Sequence, residues 1–203
     1  MSKVQLQGNV SGTGVFTIAS PNSNTDRTLT LPDNTGTLLT TSSAVTRTQL
    51  PVGTVLQVLQ SVKVDTAQST SSSYIDINGL SVTITPTSSS SKILIIADVK
   101  GSADIQSYIQ TRLLRDSTQI YGGNGSTPTL AFRYTTSGDA EGRYSVFQLG
   151  GTFLDSPATT SAITYKIQGR SPDAGNFYIN RSEFSDTFAA TCASSITVME
   201  IAA

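Results

Sequence analysis

Along most of this chain apolar and polar positions alternate one for one, and Gly, Pro, Asn, Asp and Ser separate the alternating stretches. A period of two belongs to a strand with one face toward a core, so the pattern predicts strands and turns. Val4–Leu6, Val15–Ile18 and Arg27–Leu31 are short predicted strands, and Thr54–Val64 is longer and denser in apolar residues. In SYIDINGLSVTITP, which follows, Asn78-Gly79 predicts a tight turn between two strands. Lys92–Val99 is a nearly continuous apolar run, as expected of a strand buried on both faces. Asp104–Asp116 fits a helical stripe through Ile105, Tyr108, Ile109 and Leu113, and equally a strand face through Tyr108, Gln110, Arg112 and Leu114. Strand is the consistent reading, because no other segment looks helical. Ala131–Tyr134, Tyr144–Leu149, Ile163–Ile167, Asn176–Ile179 and Ser195–Ile201 complete the set.

So many strands between short turns predict an all-β chain built around an antiparallel β-sandwich or jelly roll. Ser, Thr and Pro gather in TTSSAVTRTQLPVG, residues 40–53, as in a linker. The expected organisation is an extended β arm over residues 1–50 and a β-sandwich, jelly-roll-like knob domain over residues 51–203.

Composition narrows the chemistry. The 203 residues carry 13 basic and 14 acidic side chains, without the clustered Lys and Arg that nucleic-acid binding needs. Roughly three residues in ten are Ser or Thr, well above ordinary usage, so hydroxyls rather than charges wet the surface. No segment has the ~20 apolar residues that span a bilayer, and the N-terminus lacks the apolar core of a secretory signal. The expectation is a protein made in a cytoplasm, with no membrane insertion and no nucleic-acid partner. Cys192 is the sole cysteine, which rules out a disulfide within one chain. With no histidine, the Ser-His-Asp and Cys-His arrangements and the usual zinc sites are excluded, and no cofactor is expected.

Other motifs read as structure. GGNGS at 122–126 lacks the Gly-Lys-Ser/Thr ending of a phosphate loop and is expected to be a turn. RSPDAGN at 170–176 offers oxygen ligands without the spacing of a calcium loop and is also expected to turn. Asp139 and Glu141 lie two apart, which in a strand would put both carboxylates on one face as a glycosidase needs, and their Gly-flanked setting predicts solvated loop charges. Arg112, Arg115 and Arg133 are expected to pair with Asp116, Asp104 or Asp139. Asn9, Asn124 and Asn180 each begin an Asn-x-Ser sequon that carries no weight without a secretory route.

Two stretches resemble known viral modules. GTGVFTIASPNSNTDRTLTLPDNTGTLLT is similar to a short module near the N-termini of tailed-bacteriophage fibre and other virion proteins. GLSVTITPTSSSSKILIIADV, TRLLRDSTQI, FLDSPATTSAITYKIQGR, INRS and SSITVMEIA resemble a C-terminal domain of viral structural proteins, notably of phages of aquatic bacteria. The resemblance implies a virion protein of the tail-fibre or head-fibre type, a homotrimer with jelly-roll subunits, assembled in the host cytoplasm. The arm itself holds too few apolar residues to offset ordering costs of about 1–2 kcal/mol per residue. Its core is therefore expected to be shared with other chains, through Phe16, Ile18, Leu29, Leu31, Leu38 and Leu39. The expected function is a short, non-enzymatic trimeric fibre protein, attached by its arm to another virion protein (a tail adaptor, baseplate or capsid). Its knob would face a host glycan or protein, with Tyr121, Tyr134, Phe177 and Tyr178 as the candidate aromatic contacts. A capsid decoration protein is the alternative, and a polysaccharide depolymerase the third reading.

Overall fold

The computed structural model describes residues 11–15, 17, 22–26, 28, 45, 49–136, 141–184, 187, 189 and 191–203. The chain divides into two units, Met1–Ser43 and Ala44–Ala203. The six arm residues expected to share a core, Phe16, Ile18, Leu29, Leu31, Leu38 and Leu39, all lie outside the described residues.

Within the second unit the described elements are thirteen strands and one 3-10 turn at Glu141–Tyr144, with no α-helix among the described residues. In chain order the strands are β1 (Val55–Lys63), β2 (Ala67–Ser69), β3 (Ile75–Ile84), β4 (Lys92–Asp98), β5 (Lys100–Ala103), β6 (Tyr108–Arg115), β7 (Thr118–Tyr121), β8 (Ala131–Tyr134), β9 (Phe147–Gln148), β10 (Gly151–Asp155), β11 (Ile163–Arg170), β12 (Phe177–Ile179) and β13 (Ser194–Ile201). The all-β expectation holds, and Tyr108–Arg115, ambiguous by pattern, is a strand.

Two sheets share one strand order. The first runs β1-β13-β4-β10 and the second β2-β12-β5-β9. The coincidence follows from connectivity: β1 leads into β2, β4 into β5, β9 into β10 and β12 into β13. Four paths therefore pass through both sheets; three bend midway, and in the fourth residues 180–193 separate β12 from β13. Opposite them lies the third sheet, β3-β11-β6, in which β7 and β8 pair with successive stretches of β6. Counted as eight paths, the bent layer has the order first-eighth-third-sixth and the other second-seventh-fourth-fifth. All these pairings are antiparallel, and the arrangement is a double-sheet jelly roll.

Alternation explains the core. On β13, Ile196 and Val198 point inward while Thr197 and Met199 point out; on β11, Ile163, Tyr165 and Ile167 point inward. With Leu80, Ile84, Ile93, Ile95, Ile109 and Leu113 they form one buried cluster between the layers. Each such side chain contributes about 1.5–3 kcal/mol relative to exposure.

Three sequence expectations are corrected. Asn78-Gly79 is no hairpin turn: β3 runs through it. Opposite β11 the register slips, with Lys166 across from Ser81 but Gln168 across from Asp76. The extra β3 residues form a bulge, and Gly79 takes the positive φ of 87° that the bulge requires. Lys92–Val99 is not buried on both faces; β4 alternates, and Ile96 is exposed. Tyr144–Leu149 is not one strand, since a 3-10 turn ends at Tyr144 and only Phe147–Gln148 pair.

Candidate interaction surfaces and the polar scaffold

The bend in the long layer is a sequence consequence. Gly150 sits so close to β4 that an added Cβ would lie 1.9 Å from the Ala97 carbonyl oxygen, so only glycine fits. Asn180 is fully buried at φ 61°, a left-handed conformation that Asn adopts more readily than most residues. Its side-chain amide donates to the carbonyls of Lys63 (2.7 Å) and Asp65 (3.0 Å). The amide oxygen accepts from the Ser194 hydroxyl, whose oxygen in turn accepts from the Lys100 backbone N–H at 2.9 Å. Asn180 N–H donates to the Lys100 carbonyl at 2.9 Å. One side chain thus ties three neighbouring paths together where their ladders break. Its complete burial removes Asn180 from any role as a sugar acceptor.

Acidic side chains hold loops, and two of them, Glu200 and Asp155, are buried. Glu200, wholly buried near the end of β13, accepts from Thr87 N–H (2.8 Å), Thr87 Oγ1 (2.7 Å), Ser91 Oγ (2.5 Å) and Gln57 Nε2 (2.7 Å). Burial opposes ionisation of Glu200, but the Ser91, Gln57 and Thr87 donors outweigh it and hold the carboxyl below its ordinary range. Asp155 joins Arg115 (2.8 and 3.0 Å) to the Tyr165 hydroxyl (2.7 Å). Burial and the bond to Asp155 push the Tyr165 phenol well above its usual range. Asp104 accepts from Asn176 N–H, Asn176 Nδ2 and the Tyr178 hydroxyl. Asp173 gathers Ser107, Ser171 and Gly175 N–H inside the 170–176 segment. Asp173 is exposed, and there the hydroxyl and backbone donors outweigh partial desolvation and hold the carboxyl low.

The expected arginine pairings are redrawn. Arg115 pairs with Asp155. Arg112 donates to Gln168 and lies over the Tyr74 ring, and Arg133 lies over Phe147. Asp116 accepts from Thr164 N–H. Asp139 lies outside the described residues, as does the side chain of Glu141. No group of three or more metal-binding side chains occurs among the described residues.

The four candidate contact aromatics divide. Phe177 and Tyr178 are buried on β12, so they present almost no surface on this chain. The Tyr178 hydroxyl is committed to Asp104 and the Arg181 guanidinium lies over its ring. Tyr134 is half-buried against Tyr108, ring centroids 4.5 Å apart. Tyr121 alone is exposed; it packs on Phe153 and lines an open depression of about 300 Å³ with Gln119, Gly122 and Pro128. Phe132, 64% exposed on β8, is an aromatic surface residue that the sequence reading passed over.

The reading also missed the outer face of the β1-β13-β4-β10 sheet. Val58, Met199, Leu94 and Leu154 sit side by side across it in register. Val58 is 53% exposed and Leu154 47%. Val55, Val62 and Ile96 extend the apolar surface above and below that row. The signal was present in β4, whose outward positions include Leu94 and Ile96 as well as the charged ends Lys92 and Asp98.

No family model matches the chain, and no curated protein matches it. Among solved structures it is similar to the VP2 subviral particle of infectious bursal disease virus, at 12% identity and a TM-score of 0.34. That alignment covers 72% of this chain and 38% of the other. A structure of the Gt strain of infectious bursal disease virus matches at 12% identity and a TM-score of 0.29, covering 72% of this chain and 42% of the other. The chain thus spans about two fifths of the length of the viral proteins it overlays.

Proposed function

We propose that this protein is a non-enzymatic structural component of a bacteriophage virion, a short trimeric fibre whose N-terminal arm attaches it to the particle and whose jelly roll faces outward. The observation that carries the reading is the pairing of a double-sheet jelly roll with the fibre-type module in residues 12–40. The acidic side chains support it: Glu200 and Asp155 in the interior, half-buried Asp104 and exposed Asp173 all hold loops and strands in place. A host glycan or protein would meet the knob at Tyr121 and Phe132, the exposed rings of the described surface.

Decoration of the capsid is the second reading, favoured by the short stretch of sequence, residues 41–54, between the module and β1. Antibody labelling of intact particles separates the two, since tail-tip labelling means a fibre and labelling spread over heads means decoration. Light scattering on the purified chain is expected to give three times the 21.3 kDa of one copy. A chain lacking residues 1–50 is expected to keep that stoichiometry and lose attachment to particles. A monomeric full-length protein overturns the trimer, and release of reducing ends from host polysaccharide overturns the non-enzymatic reading.

A further inference from the structure

We propose that the outer face of the β1-β13-β4-β10 sheet is the surface through which copies of this chain meet. This rests on the reading that the protein assembles with itself, and it assigns that assembly a place. The face is a continuous apolar row, Val58–Met199–Leu94–Leu154, set by cross-strand register rather than by scattered exposure. A soluble chain seldom leaves such a row in water unless a partner covers it. The pattern of β4 says the same from sequence, because KILIIAD is composed like a strand with two buried faces and one of them is open.

Charge favours a second copy as the occupant. On β4 the outward-facing charges are Lys92 at one end and Asp98 at the other, opposite in sign. Three such faces turned toward one three-fold axis can set the Lys92 end of one copy against the Asp98 end of the next, whereas a face of one sign would repel its own copies. Of the three polar side chains in the next row, Gln60, Thr197 and Thr152, the first two already satisfy each other, Gln60 Nε2 donating to Thr197 Oγ1 at 2.9 Å, and lose little on being covered. Area is sufficient: four strands spaced about 4.8 Å apart and about seven residues long present roughly 450 Å². Three such faces turned toward one axis remove roughly 1,350 Å² from water, above the ~1,000 Å² expected of a specific interface.

The test is a double substitution, Val58→Lys with Leu154→Lys, in the full chain, read by light scattering and circular dichroism. Both positions are about half exposed, so the fold is expected to persist and the assembly to fall to single-chain mass. Phe132→Lys, on the other layer, is expected to leave the assembly intact. A folded double variant that keeps the wild-type mass overturns this assignment and leaves self-association standing. A wild-type chain that is monomeric overturns self-association and the assignment together. A double variant that stays assembled but no longer attaches to particles gives the face to another virion protein, which also overturns the assignment. Should the variant fail to fold, peroxide oxidation of Met199 in the wild-type chain decides. Oxidation at least about tenfold faster after dilution to single chains supports the interface, and an unchanged rate refutes it.

Discussion

Asn180 joins two demands in one buried residue, a left-handed backbone and three side-chain hydrogen bonds. Replacing it with alanine leaves the Lys63 and Asp65 carbonyls and the Ser194 hydroxyl without their partner and puts a Cβ-bearing residue at φ 61° without the local bonding that offsets it. Each unsatisfied buried group costs about 1–3 kcal/mol, so Asn180→Ala is expected to cost about 3 kcal/mol or more. In a domain of this size that lowers the melting temperature by roughly 6–12 °C. Asn180→Gly separates strain from the rest: glycine accepts the dihedral, so its loss reflects the missing hydrogen bonds together with the greater freedom of glycine in the unfolded chain. Nothing in INRS announces this role, because the three groups Asn180 binds are 14 to 117 residues away in sequence. Glu200 is similar. Its position in an alternating strand was legible as inward-facing, which by itself argues against a charge; the donors that license it come from β1 and the loop before β4.

Among the elements, β4 and β10 must approach each other closely at the bend, and Gly150 sets that distance. Gly150→Ala drives a methyl into the Ala97 carbonyl, which is backbone and has no rotamer to relieve it. The expected loss is at least about 3 kcal/mol, read as a lower denaturant midpoint. Gly123→Ala, where an added Cβ meets nothing within 4 Å, is expected to change stability by less than about 0.5 kcal/mol. Strands were the most legible level of this molecule, because alternation is local. Their breaks were not: β9 and β10 are separated by a bend whose cause is a contact with a distant strand. The Asn78-Gly79 pair shows the same limit, since its chemistry suits a tight turn or a bulge and only pairing with β11 chooses between them.

For the whole molecule, acid is the condition that should unsettle the fold. Glu200, Asp76 and Asp173 are all held below their ordinary range, so the unfolded chain binds more protons than the folded one as the pH falls through the carboxyl region. The stability they contribute is present above about pH 5 and is lost progressively below about pH 4. Without histidine, no side chain of ordinary pKa titrates between about pH 5 and 8, so the melting temperature should be flat there. Melting curves from pH 3 to 8 check both halves; a melting temperature that climbs between pH 6 and 7.5 contradicts them. Covered apolar faces are a property of assemblies, so a single sequence marks them only indirectly, as β4 does by being too apolar for a strand with one open side.

The same architecture decides where anything added to the protein would end up. Gly53 N–H donates to the Ala202 carbonyl at 2.8 Å and Ala202 N–H to the Thr54 carbonyl at 2.9 Å, clasping the chain's entry into the jelly roll to its exit. A peptide fused after Ala203 therefore emerges beside the segment that enters the domain. An engineer wishing to display cargo away from that point would insert it into the open glycine-rich loop between β7 and β8. There Gly123 and Gly125 have free space around them and no strand pairing is interrupted.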